Sequence, residues 1–155
     1  PHPGEAARLL EEAVPAVTGD PIAAAARLTA RHGATVVLKG GPSVTAAPGA
    51  LPVVNPTGNP GMAAGGMGDV LSGLTAALLA GRFPTAGGAP LAPFEAACLA
   101  VALHGLAGDL LAAETGPLLN ASALAARLPE AMRRLAQGGP LPGGPFTDRR
   151  FAALA

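Results

Sequence analysis

The chain has no tryptophan, no tyrosine, one cysteine and one lysine. A lone Cys98 excludes an internal disulfide and offers no thiolate cluster for a metal, so no protein metal site is expected. It also makes a reducing cytoplasm the expected compartment. Excess charge is missing too: ten basic and ten acidic residues leave a formal net charge of +0, which favours neither nucleic acid nor an anionic membrane surface. No apolar run reaches the roughly 20 residues that span a bilayer without glycine, proline or charge breaking it. The N-terminus shows no initiator methionine and no signal-peptide pattern. Hydrophobic residues still make up 50% of the chain, much of that alanine. At 155 residues this is one domain's worth of chain, able to bury roughly two-thirds of its unfolded surface.

Glycine is abundant, and five of the 22 fall in one short stretch: Gly58, Gly61, Gly65, Gly66 and Gly68. An Ala/Leu-rich run follows, turning at Asp69 into a predicted helix over residues 68–80 that stops at Gly81. Glycines let backbone N–H groups approach a ligand closely. A helix N-terminus adds unpaired donors and the positive end of its dipole, so loop and helix together form an anion pocket, most naturally for phosphate. Two familiar phosphate motifs are excluded. The pattern G-x-G-x-x-G fails because position 71 is Leu71, and a Walker A loop fails because Asp69 follows Gly68. Asp69 itself reads two ways that do not exclude each other: an N-cap worth about 1 kcal/mol over alanine, or a base facing a phosphoryl group held by the preceding amides.

Around this stretch the chain reads as α/β. Helical spacing predicts helices over residues 4–13, 21–32, 94–114 and 121–137. Asp20-Pro21 starts the second, Gly33 ends it, and Asn120 caps the last. Residues 34–39 read as a buried strand, half of a βαβ unit in a sheet that binds ligands beyond its strands' carboxyl ends. Residues 44–47 and 51–54, around Pro48-Gly49, read as a hairpin. Lys39-Gly40-Gly41-Pro42-Ser43 lies at such a strand end; Lys39 is either a solvated terminus or a point charge for phosphate. Asn59 suits an Asx turn or a ligand contact, the turn being favoured. His104 and Asp109 sit five apart on a helix, about 140° around it, a poor metal or catalytic pair; a satisfied core histidine is expected. The proline- and glycine-rich residues 82–93 read as a loop, and residues 138–155 as a flexible tail beyond one domain at 1–137.

Gly65-Gly66-Met67-Gly68-Asp69, preceded by Asn59-Pro60-Gly61-Met62-Ala63 and followed by Val70-Leu71-Ser72-Gly73, resembles the signature of ADP/ATP-dependent NAD(P)H-hydrate dehydratases of the ribokinase-like superfamily. Pro1-His2-Pro3-Gly4-Glu5 and Val36-Val37-Leu38-Lys39-Gly40-Gly41 agree, and the likeness runs in order to about residue 136. It implies a ribokinase-like three-layer αβα sandwich with only its C-terminal portion in this chain. The small number of strand candidates points the same way. It implies nucleotide-dependent dehydration of hydrated NADH or NADPH, ADP or ATP with Mg2+ as cofactors, and Asp69 as catalytic and substrate-facing base. Lys39, Gly40, Gly41, Ser43, Gly65, Gly66 and Gly68 fall to the nucleotide, and His2 to the hydrated-nicotinamide pocket. Pro42 removes one backbone donor from the nucleotide pentad. A homo-oligomer and a fused upstream epimerase domain are compatible with the same reading. Two rivals stand beside it: a small-molecule kinase of the superfamily, acting on a vitamin precursor or sugar, and a nucleotide-binding module without catalysis.

Overall fold

In the computed structural model, which describes residues 1–81 and 90–138, three short strands separate two groups of helices. The order is α1 (Pro3–Leu10), α2 (Val14–Gly19), α3 (Pro21–His32), β1 (Val36–Leu38), β2 (Val44–Ala46), β3 (Val53–Val54), a 3-10 turn (Pro60–Met62), α4 (Met67–Leu79), α5 (Pro93–Thr115) and α6 (Ala121–Ala136). Residues 82–89 of the expected loop and 139–155 of the expected tail fall outside the described residues.

Alternation along the strands builds the layers. Val36, Leu38, Val44 and Ala46 pack on Ala6, Ala7, Leu10, Val17, Ala24, Ala25 and Leu28 of α1 to α3. Val37 points the other way, into the cluster that α4, α5 and α6 form. Thr45 is buried, near the Cys98 thiol of α5, whose pKa burial pushes up. One sheet face is thus covered by α1–α3 and the other by α4–α6. Each fully buried leucine, such as Leu28, Leu103, Leu106 and Leu124, contributes about 1.5–3 kcal/mol over an exposed one.

The half βαβ unit expected at residues 34–39 needs a strand before α3, and none precedes it among the described residues; the three strands that are described pair antiparallel. β1 pairs antiparallel with β2, Val37 opposite Thr45, and β2 pairs antiparallel with β3, Val44 opposite Val54. Only residues 39–43 join β1 to β2, far short of the dozen residues a parallel crossover requires. The hairpin around Pro48-Gly49 is as expected, with Gly49 at φ +74°.

The first helix also differs: it ends at Leu10, where Glu11 turns left-handed at φ 61°. Pro15 cannot sit inside a helix running from α1, because its ring clashes with the carbonyl four residues back. A separate α2 therefore begins at Val14. Glu11 and Glu12 reach Arg side chains of α3: Glu12 accepts from Arg27 Nε and Nη2 at 3.0 and 2.9 Å, and the exposed Glu11 pairs with Arg31. Leu9 is exposed while Leu10 is buried.

The boundaries set by local chemistry agree. Asp20 accepts from the Ala23 amide at 2.9 Å to start α3, and Gly33 ends it at φ 62°. Asn120 caps α6 through the Ala123 amide at 2.9 Å. α5 is the central element. It is long and apolar enough to cross a membrane by length and composition, but it lies between α4, α6 and the sheet with much of its surface buried. That burial accounts for its being apolar all round.

Candidate active site

Helix α4 begins at Met67, one residue ahead of the expected start. Gly66 is its N-cap, at φ 82°, a conformation glycine adopts without strain. Asp69 is therefore not the cap; it is the third helical residue, and its exposed carboxylate bonds no amide among the described residues. That correction frees the side chain for the other reading. No side chain hydrogen-bonds the helix end, and the Gly65, Gly66 and Gly68 amides have no protein acceptor among the described residues. These donors, with the helix dipole behind them, form an open shelf suited to an anion.

Lys39 comes to this shelf from the sheet. A Cβ added at Gly68 would lie 3.2 Å from its Nζ, so a side chain there would push the ammonium away. Two segments well separated in sequence are thereby brought together at one helix end. In the adjoining turn, Ser43 Oγ accepts from the Gly40 amide at 3.3 Å and faces the Gly40 carbonyl at 3.2 Å. Gly40 and Gly41 are exposed, and the Gly41–Pro42 peptide is cis. Lys39 also donates its backbone N–H to the Pro1 carbonyl at 2.8 Å, which places the first residues beside the shelf.

His2 has a structural task that accounts for its position. Its Nδ1 accepts from the Gly4 and Glu5 amides at 3.1 and 3.3 Å, and Glu5 returns the bond by accepting from the His2 amide at 2.7 Å. This is a reciprocal cap of α1. The amide bond from His2, with the His2 and Lys39 charges nearby, holds the Glu5 carboxyl below its usual range. The exposed Nε2 of His2 faces Glu5 Oε1 at 3.4 Å.

The glycine loop is shaped by α5, which sequence reasoning overlooked. Thr57 Oγ1 lies 3.1 Å from the Ala102 carbonyl. Asp109 accepts from the Gly58 amide at 2.8 Å and from Asn59 Nδ2 at 2.9 Å. Asn59 Oδ1 in turn accepts from the Gly61 amide at 3.1 Å, the Asx turn that was expected. Methyl groups at Gly105 and Gly108 would lie 2.2 Å from Thr57 Oγ1 and 2.3 Å from Met62 Sδ, so both glycines exist to seat the loop. At the loop's far end His104, buried as expected, places Nε2 3.0 Å from the Met67 carbonyl. The pair Gly105-x-x-Gly108, two small residues one helical turn apart on an apolar helix, is the signal that would have marked this contact.

A three-layer α/β arrangement with an open, amide-lined helix start and one lysine over it defines a ribokinase-like protein. The match is direct in a ribokinase-like superfamily structure from Enterococcus faecalis, with TM-score 0.70 and 34% identity over 86% of this chain and 43% of that one. The model of the NAD(P)H-hydrate dehydratase family matches residues 1–130, and the chain belongs to that family. It is 50% identical over 117 residues to a bifunctional NAD(P)H-hydrate repair enzyme of Escherichia coli K12, covering 75% of this chain and 21% of that protein. It is 43% identical over 135 residues to an ADP-dependent (S)-NAD(P)H-hydrate dehydratase of Neisseria meningitidis, covering 87% of this chain and 42% of that one. An ADP/ATP-dependent NAD(P)H-hydrate dehydratase from Bacillus subtilis, co-crystallized with ATP/Mg2+, superposes with TM-score 0.77 at 32% identity over 86% of this chain and 46% of that one. The chain thus spans under half the length of each of these relatives.

Proposed function

We propose that the protein containing this chain dehydrates hydrated NADH or NADPH with ADP or ATP, returning the reduced cofactor to use. The single observation that carries the reading is the placement of the Lys39 ammonium over Gly68, beside the exposed Asp69 carboxylate and unpaired amides. Donors of both kinds suit the phosphates of a nucleotide. A bound nucleotide supplies the phosphoryl group that makes the ring hydroxyl a better leaving group. Asp69 holds the proton of that hydroxyl, as general base and orienting group. The Gly66 and Gly68 amides and the α4 dipole stabilise charge on the phosphoryl oxygens. Among the described residues no three His, Cys, Asp or Glu converge on a metal. A magnesium ion travelling with a nucleotide is held chiefly by phosphate oxygens and waters, which leaves Asp69 to the proton. His2 would meet the nicotinamide side with its exposed Nε2 face while its Nδ1 keeps α1 capped. A fused upstream epimerase domain belongs to the same proposal, supported by the bifunctional name of the E. coli relative.

Asp69→Ala in the full-length protein tests it. Regeneration of NADH absorbance from the hydrate is expected to vanish, with nucleotide binding by calorimetry largely kept. Near-normal turnover would remove Asp69 from the reaction. A stable phosphorylated product in place of regenerated NADH would replace the dehydratase with a kinase.

A further inference from the structure

The loop that presents the amide shelf is held from outside the site, and its hold is concentrated on one side chain. Asp109 lies 50 and 51 positions from its two partners and is the carboxylate that bonds the loop among the described residues. Its Oδ2 takes the Gly58 amide, where the backbone is at φ +105°, and its Oδ1 takes the Asn59 side-chain N–H. Asn59 passes the constraint on by accepting from the Gly61 amide. From there the 3-10 turn carries it forward: the Met62 amide bonds the Asn59 carbonyl at 3.0 Å and the Ala63 amide bonds the Pro60 carbonyl at 3.1 Å. The next segment contains Gly65 and Gly66 and enters α4.

We propose that Asp109 is a positioning residue for the phosphate-binding shelf, setting the approach of the Gly65, Gly66 and Gly68 amides by fixing Gly58 and Asn59 against α5. It rests on the nucleotide-dependent reading above. Each Asp109 oxygen and each end of the Asn59 amide already holds a partner in the protein, so both side chains are oriented by the loop and α5 without a ligand. A charged acceptor holding two loop donors also places the constraint in a half-buried setting where an unmatched donor is costly.

Complementarity makes the proposal testable without relying on loss of function. In Asp109→Asn, one oxygen still accepts from Gly58, but the new NH2 faces the NH2 of Asn59. In Asn59→Asp, two carboxylates face each other. The exchange variant Asn59→Asp/Asp109→Asn restores every donor to an acceptor. The asparagine introduced on α5 accepts from the Gly58 amide and donates its NH2 to one oxygen of the aspartate introduced in the loop. The other oxygen of that aspartate accepts from the Gly61 amide. The full-length protein is measured well below the melting temperature of each variant. Each single variant is expected to raise the ADP or ATP KM by about tenfold or more, the scale of one mismatched charged hydrogen bond, with a smaller change in kcat. Amide hydrogen exchange over residues 58–68 should accelerate in the same two variants. The exchange variant should return both readouts to within about threefold of the starting protein.

Unchanged KM in the folded single variants overturns the proposal. So does an exchange variant as impaired as the sum of its parts. If Asp109→Asn does not fold, Asn59→Asp and the exchange variant decide alone. A protein that binds nucleotide but regenerates no NADH refutes the dehydratase reading and leaves Asp109 to be judged by nucleotide affinity. Exchange rates judge it if nucleotide does not bind at all.

Discussion

Two loops meet at the end of α4, and they are held in opposite ways. The lysine turn at residues 39–43 has its tip closed by its own atoms, Ser43 to Gly40 three positions apart, while backbone bonds to Pro1 and Asn55 anchor only its two ends. The glycine loop at residues 55–66 is tied to α5 through Thr57, Gly58 and Asn59, partners 45 to 51 positions away. The side-chain bonds at the tip of the first are local and exposed, and cost little to form. The second depends on the packing of the whole C-terminal helical layer, and its backbone donors are fixed before any ligand arrives. Preorganised donors bind a phosphate more tightly than donors that must be recruited, so the strapped loop is the one expected to carry the nucleotide's phosphate contacts. The lysine turn is suited to supply a mobile charge.

The largest test of this contrast is Gly105→Ala. Its new methyl would sit 2.2 Å from Thr57 Oγ1 and 2.7 Å from the Thr57 carbonyl carbon, inside α5, where neither helix nor loop backbone can yield cheaply. A loss of about 3 kcal/mol of stability is expected, read by urea denaturation of the full-length protein, together with loss of turnover. A small effect would mean that the loop is not pressed on α5 as described.

Ser43→Ala should be far milder. Its hydroxyl bonds only its own exposed turn, so less than about 1 kcal/mol of stability is expected to go. Any larger fall in nucleotide affinity than in stability would assign the hydroxyl to the ligand rather than to the turn. If Ser43→Ala destabilises as strongly as Gly105→Ala, the two loops are not built differently.

The same contrast decides how much could be read from sequence. Features whose cause lies within four residues were legible: the Asp20 and Asn120 caps, the Gly33 stop, the Pro48-Gly49 hairpin and the Asn59 turn. The Lys39 and Asp69 segments were found because their residue types are unusual for their places, one lysine and one carboxylate beside glycines. Spacing alone could not decide whether Asp69 was a cap, because that turned on whether Gly66 or Asp69 entered the helix first. The straps were not legible. Asp109 looks like any polar residue on a long helix, and its value comes from a loop 50 positions earlier. The pairing of β1 with β2 was not legible either: a single buried strand fits a parallel or an antiparallel neighbour, and only the length of the connection to β2 decides.

His104 gives the smallest and most selective test, because it ties the far end of the strapped loop and can titrate. Burial, partly offset by the bond to the Met67 carbonyl, holds its pKa below the ordinary histidine value of about 6.5. The unfolded chain therefore takes up this proton at higher pH than the folded protein does. In that interval the unfolded state binds more protons, and stability rises with pH. The contribution is fully present above about pH 6.5 and is lost as pH falls through the lowered folded value. His104→Gln offers the Met67 carbonyl an N–H that does not titrate. Between about pH 7.5 and 5.5 the full-length protein should lose more stability than the H104Q variant does, as followed by urea denaturation at ~0.5 pH steps. Glu5 and Glu130, whose carboxyl pKa values are lowered, act at more acid pH, and every group other than His104 is common to the two proteins, so the difference between their curves reports the imidazole. Parallel curves for the two proteins would mean that the imidazole is not desolvated against α4, and that Asp109 holds the loop without a second titratable anchor.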